Sequence, residues 1–312
     1  MSVTSLQTSV APAAALRGSR RRGRRRDLLG LLYVLPAIAL VLVFFIVPIG
    51  MTAWMSLHNW PLLGVPRFIG LGNYLRLWAD SGFWESLRFT LLYTLVATVA
   101  IFAVAFPLAL FVEKPRPLVG LFRTVFFLPV VVGFATAALL WVWLLNTDSG
   151  LFSPALQALG LTPQRINILG GFDTAFAAIT VMVVWKVAGF TMILLMTGLQ
   201  SIPGDLVEAA RIDHAGPLQR FRFITLPLMR RTLGLALVLC ITGSMLAFDQ
   251  FYIMVAGGPR NQTITAVYWI FNQSFVSFRL GYGSALSIVL LAILLVVSVG
   301  QLWLLGDREE AR

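Results

Sequence analysis

Lys186 and Asp249 are ionisable side chains set inside long apolar runs, which makes them the first candidates for chemistry in this chain. A charged group in such surroundings is costly and normally faces a cavity or a partner. Gln250 adjoins Asp249, and both charges fall toward the same end of their runs. One reading is a Lys186–Asp249 ion pair within a helical bundle, and the other is a lining for the path of a polar solute. The same runs carry Trp185, Phe190, Ser244, Phe248 and Tyr252. Flat aromatic faces beside hydroxyl and charged groups hold polyhydroxylated solutes such as sugars. Covalent catalysis has no comparable constellation. The acidic residues are scattered, and the single cysteine, Cys240, allows no intramolecular disulfide. The two lysines, Lys114 and Lys186, are followed by Pro115 and Val187, so a G-x-x-x-x-G-K-[ST] phosphate loop is impossible. We therefore expect no catalytic residue, no metal site and no cofactor, and assign any ATP hydrolysis to another polypeptide.

The elements that position these residues are read from composition. The 312 residues are 58% hydrophobic and 12% charged, with a mean hydropathy of +0.85. Soluble domains carry about 25% charged residues, so the chain has roughly half the usual charge. Six apolar segments, roughly 29–54, 89–112, 121–145, 174–199, 233–256 and 282–305, are long enough to span a bilayer. At about 1.5 Å per residue, ~24 residues reach ~36 Å, enough for a ~30 Å hydrocarbon core with some tilt. The fold class expected is an all-α integral membrane protein with about six transmembrane helices.

Arg and Lys set the orientation. Seventeen of the 24 positives flank the segments on one side, and six lie on the other: Arg67, Arg76, Arg88, Arg165, Arg260 and Arg279. By the positive-inside rule both termini are cytoplasmic. His58 and His214 then fall on opposite sides and cannot share a metal. The organisation expected is a basic tail over 1–28, a membrane domain over 29–305 and a short tail over 306–312. The net charge of +11 invites a nucleic-acid reading, but the basic residues are the cytoplasmic flanks of spans, and no nucleic-acid partner is expected. The Arg17–Arg26 tract reads as a topology signal in contact with anionic lipid. It also mimics a secretory signal, but the following apolar run is too long and reads as a first anchor.

Between the fourth and fifth segments lies a polar stretch, Ser201–Pro227. Charged groups this dense do not lie in hydrocarbon, so it is an aqueous loop. Pro203 can open a helix, Asp205 and Glu208 fall in its first turns, and Gly216-Pro217 marks a stop. Leu206, Val207, Ala210 and Ile212 supply an apolar side. Phe221, Ile224 and Leu226 pin the second half of the loop to the bundle.

Glu208, Ala209, Ala210, Asp213, Ile224, Leu226 and Pro227 resemble the cytoplasmic EAA loop of permease subunits in bacterial ABC importers. Leu35-Pro36, Pro48, the GLGNY segment ending at Tyr74, Phe126–Pro129, Gly198–Pro203, Phe248-Asp249, Gly257-Gly258-Pro259 and Gly281–Ala285 are similar to the sugar branch, the maltose-type and glycerol-phosphate-type permeases. The resemblance implies a type I importer permease fold in the bacterial inner membrane. It implies a second homologous permease, two ABC ATPase subunits and an extracytoplasmic solute-binding protein as partners. It implies that Glu208, Ala209, Ala210, Asp213, His214 and Gly216 form the ATPase-coupling surface, with the two alanines offering a flat face. It also places solute contacts on the spans either side of the loop, hence at Lys186, Phe190, Ser244, Phe248, Asp249 and Tyr252. One position departs: His214 follows Asp213 where the family usually has glycine, which moves the expected bend to Gly216-Pro217. An importer of glycerol phosphodiesters or polyamines, and an ion-coupled secondary transporter, are the alternative readings.

Overall fold

The computed structural model describes residues 33–160, 162 and 164–305. The basic tail over 1–28 and the tail over 306–312 lie outside the described residues. The chain divides into two compact units, Met1–Trp54 and Met55–Arg312. The described part of the first is residues 33–54 of helix α1 (Tyr33–Ser56). It contains a π-helical turn, Leu42–Ile46, two residues ahead of Pro48. Proline has no N–H and crowds the preceding turn, and a wider turn relieves that crowding.

The second unit begins with a short antiparallel pair, β1 (His58–Asn59) and β2 (Arg67–Phe68). Helix α2 (Gly72–Trp78) follows, and buried Asn73 donates from Nδ2 to the carbonyls of Ser56 (2.8 Å) and His58 (2.9 Å). The GLGNY segment is thus a clasp on the chain leaving the first helix.

Helix α3 (Ser81–Val112) starts eight residues before the apolar run that predicted it, because Asp80 Oδ1 accepts from the Phe83 N–H at 3.2 Å and caps it. Helices α4 (Val119–Val131) and α5 (Phe134–Leu144) follow, then α6 (Phe152–Ala158) and α7 (Phe172–Gln200). The polar stretch forms α8 (Gly204–Ile212) and α9 (Pro217–Leu228). The chain closes with α10 (Arg230–Met245), α11 (Asp249–Met254), α12 (Ala266–Phe271) and α13 (Leu280–Leu305).

Helices α3 and α7 form the central pair. Tyr93, Ala97 and Ile101 of α3 meet Ile179 and Met182 of α7 in one buried cluster. Ala105 and Ala109 meet Met192 and Leu195 in the next. Small residues on α3 let the backbones approach, the device that membrane helices use where lipid supplies no hydrophobic drive. The outer helices expose large apolar side chains, as at Leu295, Val296 and Trp303 of α13. Apolar surface on that scale suits lipid, not water.

Among the described residues, four helices are long and apolar enough to cross a membrane, and up to six spans result if each of two bent pairs counts as one. Two of the expected spans are therefore corrected. The third is broken at Val132-Gly133, where α4 and α5 meet at 98°. The fifth does not run helically to residue 256: α10 ends at Met245 and α11 begins only at Asp249. A second bend, of 72°, separates α9 from α10.

Candidate coupling surface and solute path

Helix α8 has Asp205 in its first turn and Arg211 in its last, each complementing the helix dipole. It ends in a Schellman turn. The Ala215 N–H donates to the Ala210 carbonyl at 2.9 Å and the His214 N–H to the Arg211 carbonyl at 3.1 Å. That geometry requires a left-handed residue, and His214 adopts φ +54°. The bend therefore stays at His214, where the family pattern has glycine, and does not move to Gly216-Pro217 as expected. Gly216 is extended (φ −66°, ψ 165°), and its N–H is capped by Gln219 Oε1 at 2.8 Å.

The helix presents two faces. Ala210 is buried and Val207 half-buried, so these two turn toward the protein. The expected flat pair is corrected accordingly: Ala209 and Glu208 are exposed, while Ala210 faces inward. Asp213 and His214 are exposed as well. In α9, Phe221 packs edge-on against Phe106 of α3, with ring centroids 5.5 Å apart, and so pins the loop as predicted. Ile224 is half-buried, but Leu226 is exposed. A π-turn, Phe221–Thr225, precedes Pro227 as another precedes Pro48.

The expected apolar side is split: Val207 and Ala210 turn inward, but Leu206 and Ile212 (79%) are exposed. Sequence reasoning missed Leu218 and Phe223, which are 77% and 71% exposed on the same loop. Phe223 was legible, since it stands away from the inward pair Phe221 and Ile224 at helical spacing. For Leu218 the sequence carries no such signal.

Lys186 lies midway along the 29-residue α7 and is 5% exposed. Its Nζ donates to the carbonyls of Val132, Val130 (3.4 Å) and Pro129 (3.5 Å), and sits 4.6 Å from the centre of the Phe134 ring. The ammonium thus serves carbonyls at the break between α4 and α5, of which Pro129's also accepts from the Val132 N–H at 3.3 Å, and it contacts the aromatic face. The expected ion pair with Asp249 is absent among the described residues, and Lys186 lies at mid-helix, not in the outer half. One turn along, a side chain at Gly189 would collide with the Phe126 carbonyl, so glycine lets α7 lie against α4.

The break after α10 organises the other candidates. Buried Thr265 donates to the Ala247 carbonyl at 2.7 Å, and Gln250 Nε2 donates to Tyr93 Oη at 3.2 Å. Non-helical backbone at such depth is tolerated where protein or a cavity satisfies it. Phe248 stacks on Tyr252 with centroids 5.1 Å apart. Tyr268 and Phe271, which sequence reasoning did not name, close the cluster within 5.8 Å of Phe248. Asp249 is half-buried, and Ser244 is buried. Phe190 is exposed on α7. No hydrogen bond, ion pair or ring contact among the described residues joins Lys186 or Phe190 to the Phe248–Tyr252 cluster.

The profile of the family described as "Binding-protein-dependent transport system inner membrane component" matches residues 89–305. The trehalose/maltose transport system permease protein MalF of Thermococcus litoralis is 36% identical over 277 residues, 88% of this chain and 92% of that protein. The lactose transport system permease protein LacF of Rhizobium radiobacter is 31% identical over 92% of this chain and 97% of its own length. In fold, the chain is similar to a solved bacterial ABC transporter involved in the import of the acidic polysaccharide alginate. There the TM-score is 0.79 at 21% identity, covering 93% of this chain and 99% of that one.

Proposed function

The chain belongs to the binding-protein-dependent transport system inner membrane component family, and from that premise we propose that it is the permease subunit of an ATP-driven carbohydrate importer. It forms part of the path through the membrane and performs no covalent step. ATP is hydrolysed by two separate ATPase subunits, a second homologous permease completes the path, and an extracytoplasmic binding protein delivers the solute.

The observation that carries this reading is the folded α8–α9 loop. It is polar, rigidly turned, and displays Glu208 and Ala209 among exposed Ile212, Leu218 and Phe223. An exposed carboxylate offers charge-assisted hydrogen bonds, and the neighbouring apolar side chains suit a cleft on a partner protein. When the ATPases close, a rigid lever here turns α7 and α10, which flank it, in rigid-body alternating access. Glu113 and Lys114, just past α3, gather with Arg211 of α8 and Arg220 of α9 around a cavity of about 560 Å³. The surplus of Arg and Lys on this side supports a cytoplasmic position for the loop and for both termini. The carbohydrate assignment draws on the trehalose/maltose and lactose relatives and on the aromatic cluster at Phe248 and Tyr252.

Reconstitution in proteoliposomes tests the reading. Uptake of a saccharide is expected only with the ATPase subunits and ATP present. Uptake by the permeases alone, driven by an ion gradient, overturns it.

A further inference from the structure

At the end of the bundle opposite the coupling loop lies a cavity of about 790 Å³. Its walls come from the first turns of α3, the start of α7, the loop at residues 260–264, and Trp269 of α12. We propose that this cavity is an outer saccharide subsite, where a hydroxylated pyranose ring is held before it enters the bundle. The proposal rests on the carbohydrate reading above and extends it to residues outside the Phe248–Tyr252 cluster.

The aromatic wall is fixed before any ligand arrives. The Trp269 indole N–H donates to Asp80 Oδ2 at 3.1 Å, and its six-membered ring lies so close to α3 that any side chain at Gly82 would collide with it. Phe172 stands on the opposite helix, with its ring centroid 6.2 Å from that of Phe89. Flat, immobile aromatic surfaces suit the apolar face of a sugar ring.

The polar wall is equally preset. Buried Thr263 donates to the Gly258 carbonyl at 2.7 Å, and the Ala266 N–H donates to Thr90 Oγ1 of α3 at 2.9 Å. At the loop tip Arg260 and Asn261 hold left-handed backbones, φ +52° and +62°. Two consecutive strained residues that are not glycine are a feature of ligand clamps. Their side chains, with Glu85 and Arg88 across the cavity, make no hydrogen bond or ion pair among the described residues. Four exposed polar side chains thus line a pocket with aromatic walls. The volume falls within the range of about 300–1,000 Å³ typical of small-ligand sites, which favours a saccharide over a docked protein.

The test uses the complete transporter in proteoliposomes with saturating binding protein, and maltotriose, trehalose and lactose as probes. The double variant Arg88→Ala with Arg260→Gly removes both guanidinium groups and keeps the left-handed backbone. For the transported probe it is expected to raise the KM of uptake about tenfold, with the maximal rate and solute-free ATP hydrolysis unchanged. Gly82→Leu, which drives the indole into the cavity, is expected to raise KM in the same way. An unchanged KM overturns the subsite and leaves the importer reading standing, as does a fall in maximal rate alone. A weakened apparent affinity for the binding protein overturns it in favour of a protein-docking surface. If wild-type transporter carries none of the probes, the carbohydrate reading fails and the subsite fails with it.

Discussion

The chain breaks a helix in two very different places, at His214 in the coupling loop and at Val132-Gly133 within the third span. In the loop, the freed carbonyls of α8 are answered by the next two N–H groups of the same turn, Ala215 to Ala210 and His214 to Arg211. Water can serve whatever remains, since Glu208, Ala209 and Asp213 are exposed. In the span, hydrocarbon offers a freed carbonyl no hydrogen-bond donor. The Pro129 carbonyl has the local Val132 N–H, but those of Val130 and Val132 are answered by a side chain from another helix, the buried Lys186. A turn in water can therefore be local, whereas a turn in hydrocarbon has to be closed by a partner distant in sequence.

That contrast orders the predicted effects. Lys186→Met keeps the length of the side chain and removes its donors, leaving the Val130 and Val132 carbonyls unanswered at about 1–3 kcal/mol each, while the Pro129 carbonyl keeps the Val132 N–H. We expect loss of several kcal/mol and little assembled protein, measured by thermal stability and recovery of monodisperse material in detergent. Normal stability in this variant would mean that the bend holds itself. The paired change Glu208→Arg with Ala209→Trp acts on the surface of the other break. It is expected to leave thermal stability unchanged and to lower ATP-driven uptake at least tenfold, because a charge-assisted contact is worth about 1.5–3 kcal/mol. Full uptake with the altered loop would remove the coupling surface from consideration. His214→Gly has the smallest effect. It relieves a left-handed residue and is expected to stabilise the chain by about 1 kcal/mol or less, with uptake retained. A destabilised glycine variant would show that the imidazole makes contacts worth more than the backbone strain.

Much of the architecture was legible in the apolar runs, because a helix that is apolar all round can only be buried or set in lipid. Helices α1, α3, α7 and α13 follow their runs to within a few residues, apart from the capped start of α3. The breaks within the third and fifth spans did not show. Leu246, Ala247 and Phe248 are as apolar as the helices they separate, so hydropathy reads straight through them. Pro129 and Gly133 mark the other break, but such residues are tolerated in spans that remain straight. In the loop, the helix, its polar character and the pin at Phe221 were readable from spacing. The outward turn of Leu206 and Ile212, placed on one apolar side with Val207 and Ala210, was not, since it depends on what the helix packs against.

The solute path separates the two kinds of information most sharply. An ionisable residue in hydrocarbon requires a partner, and that much was known of Lys186 from its position alone. Which partner it takes depends on where a bent helix delivers its carbonyls, and this replaced Asp249 with the backbone of Pro129–Val132. By itself, the sequence determined that the chain is a membrane bundle with one polar, helical loop, since transfer free energies and helix periodicity act residue by residue. The tertiary structure alone decided how the third and fifth spans break, which aromatic rings meet at Phe248 and Tyr252, and that His214 carries the turn. Each of these depends on satisfying backbone groups between segments far apart in the chain, which no local pattern records.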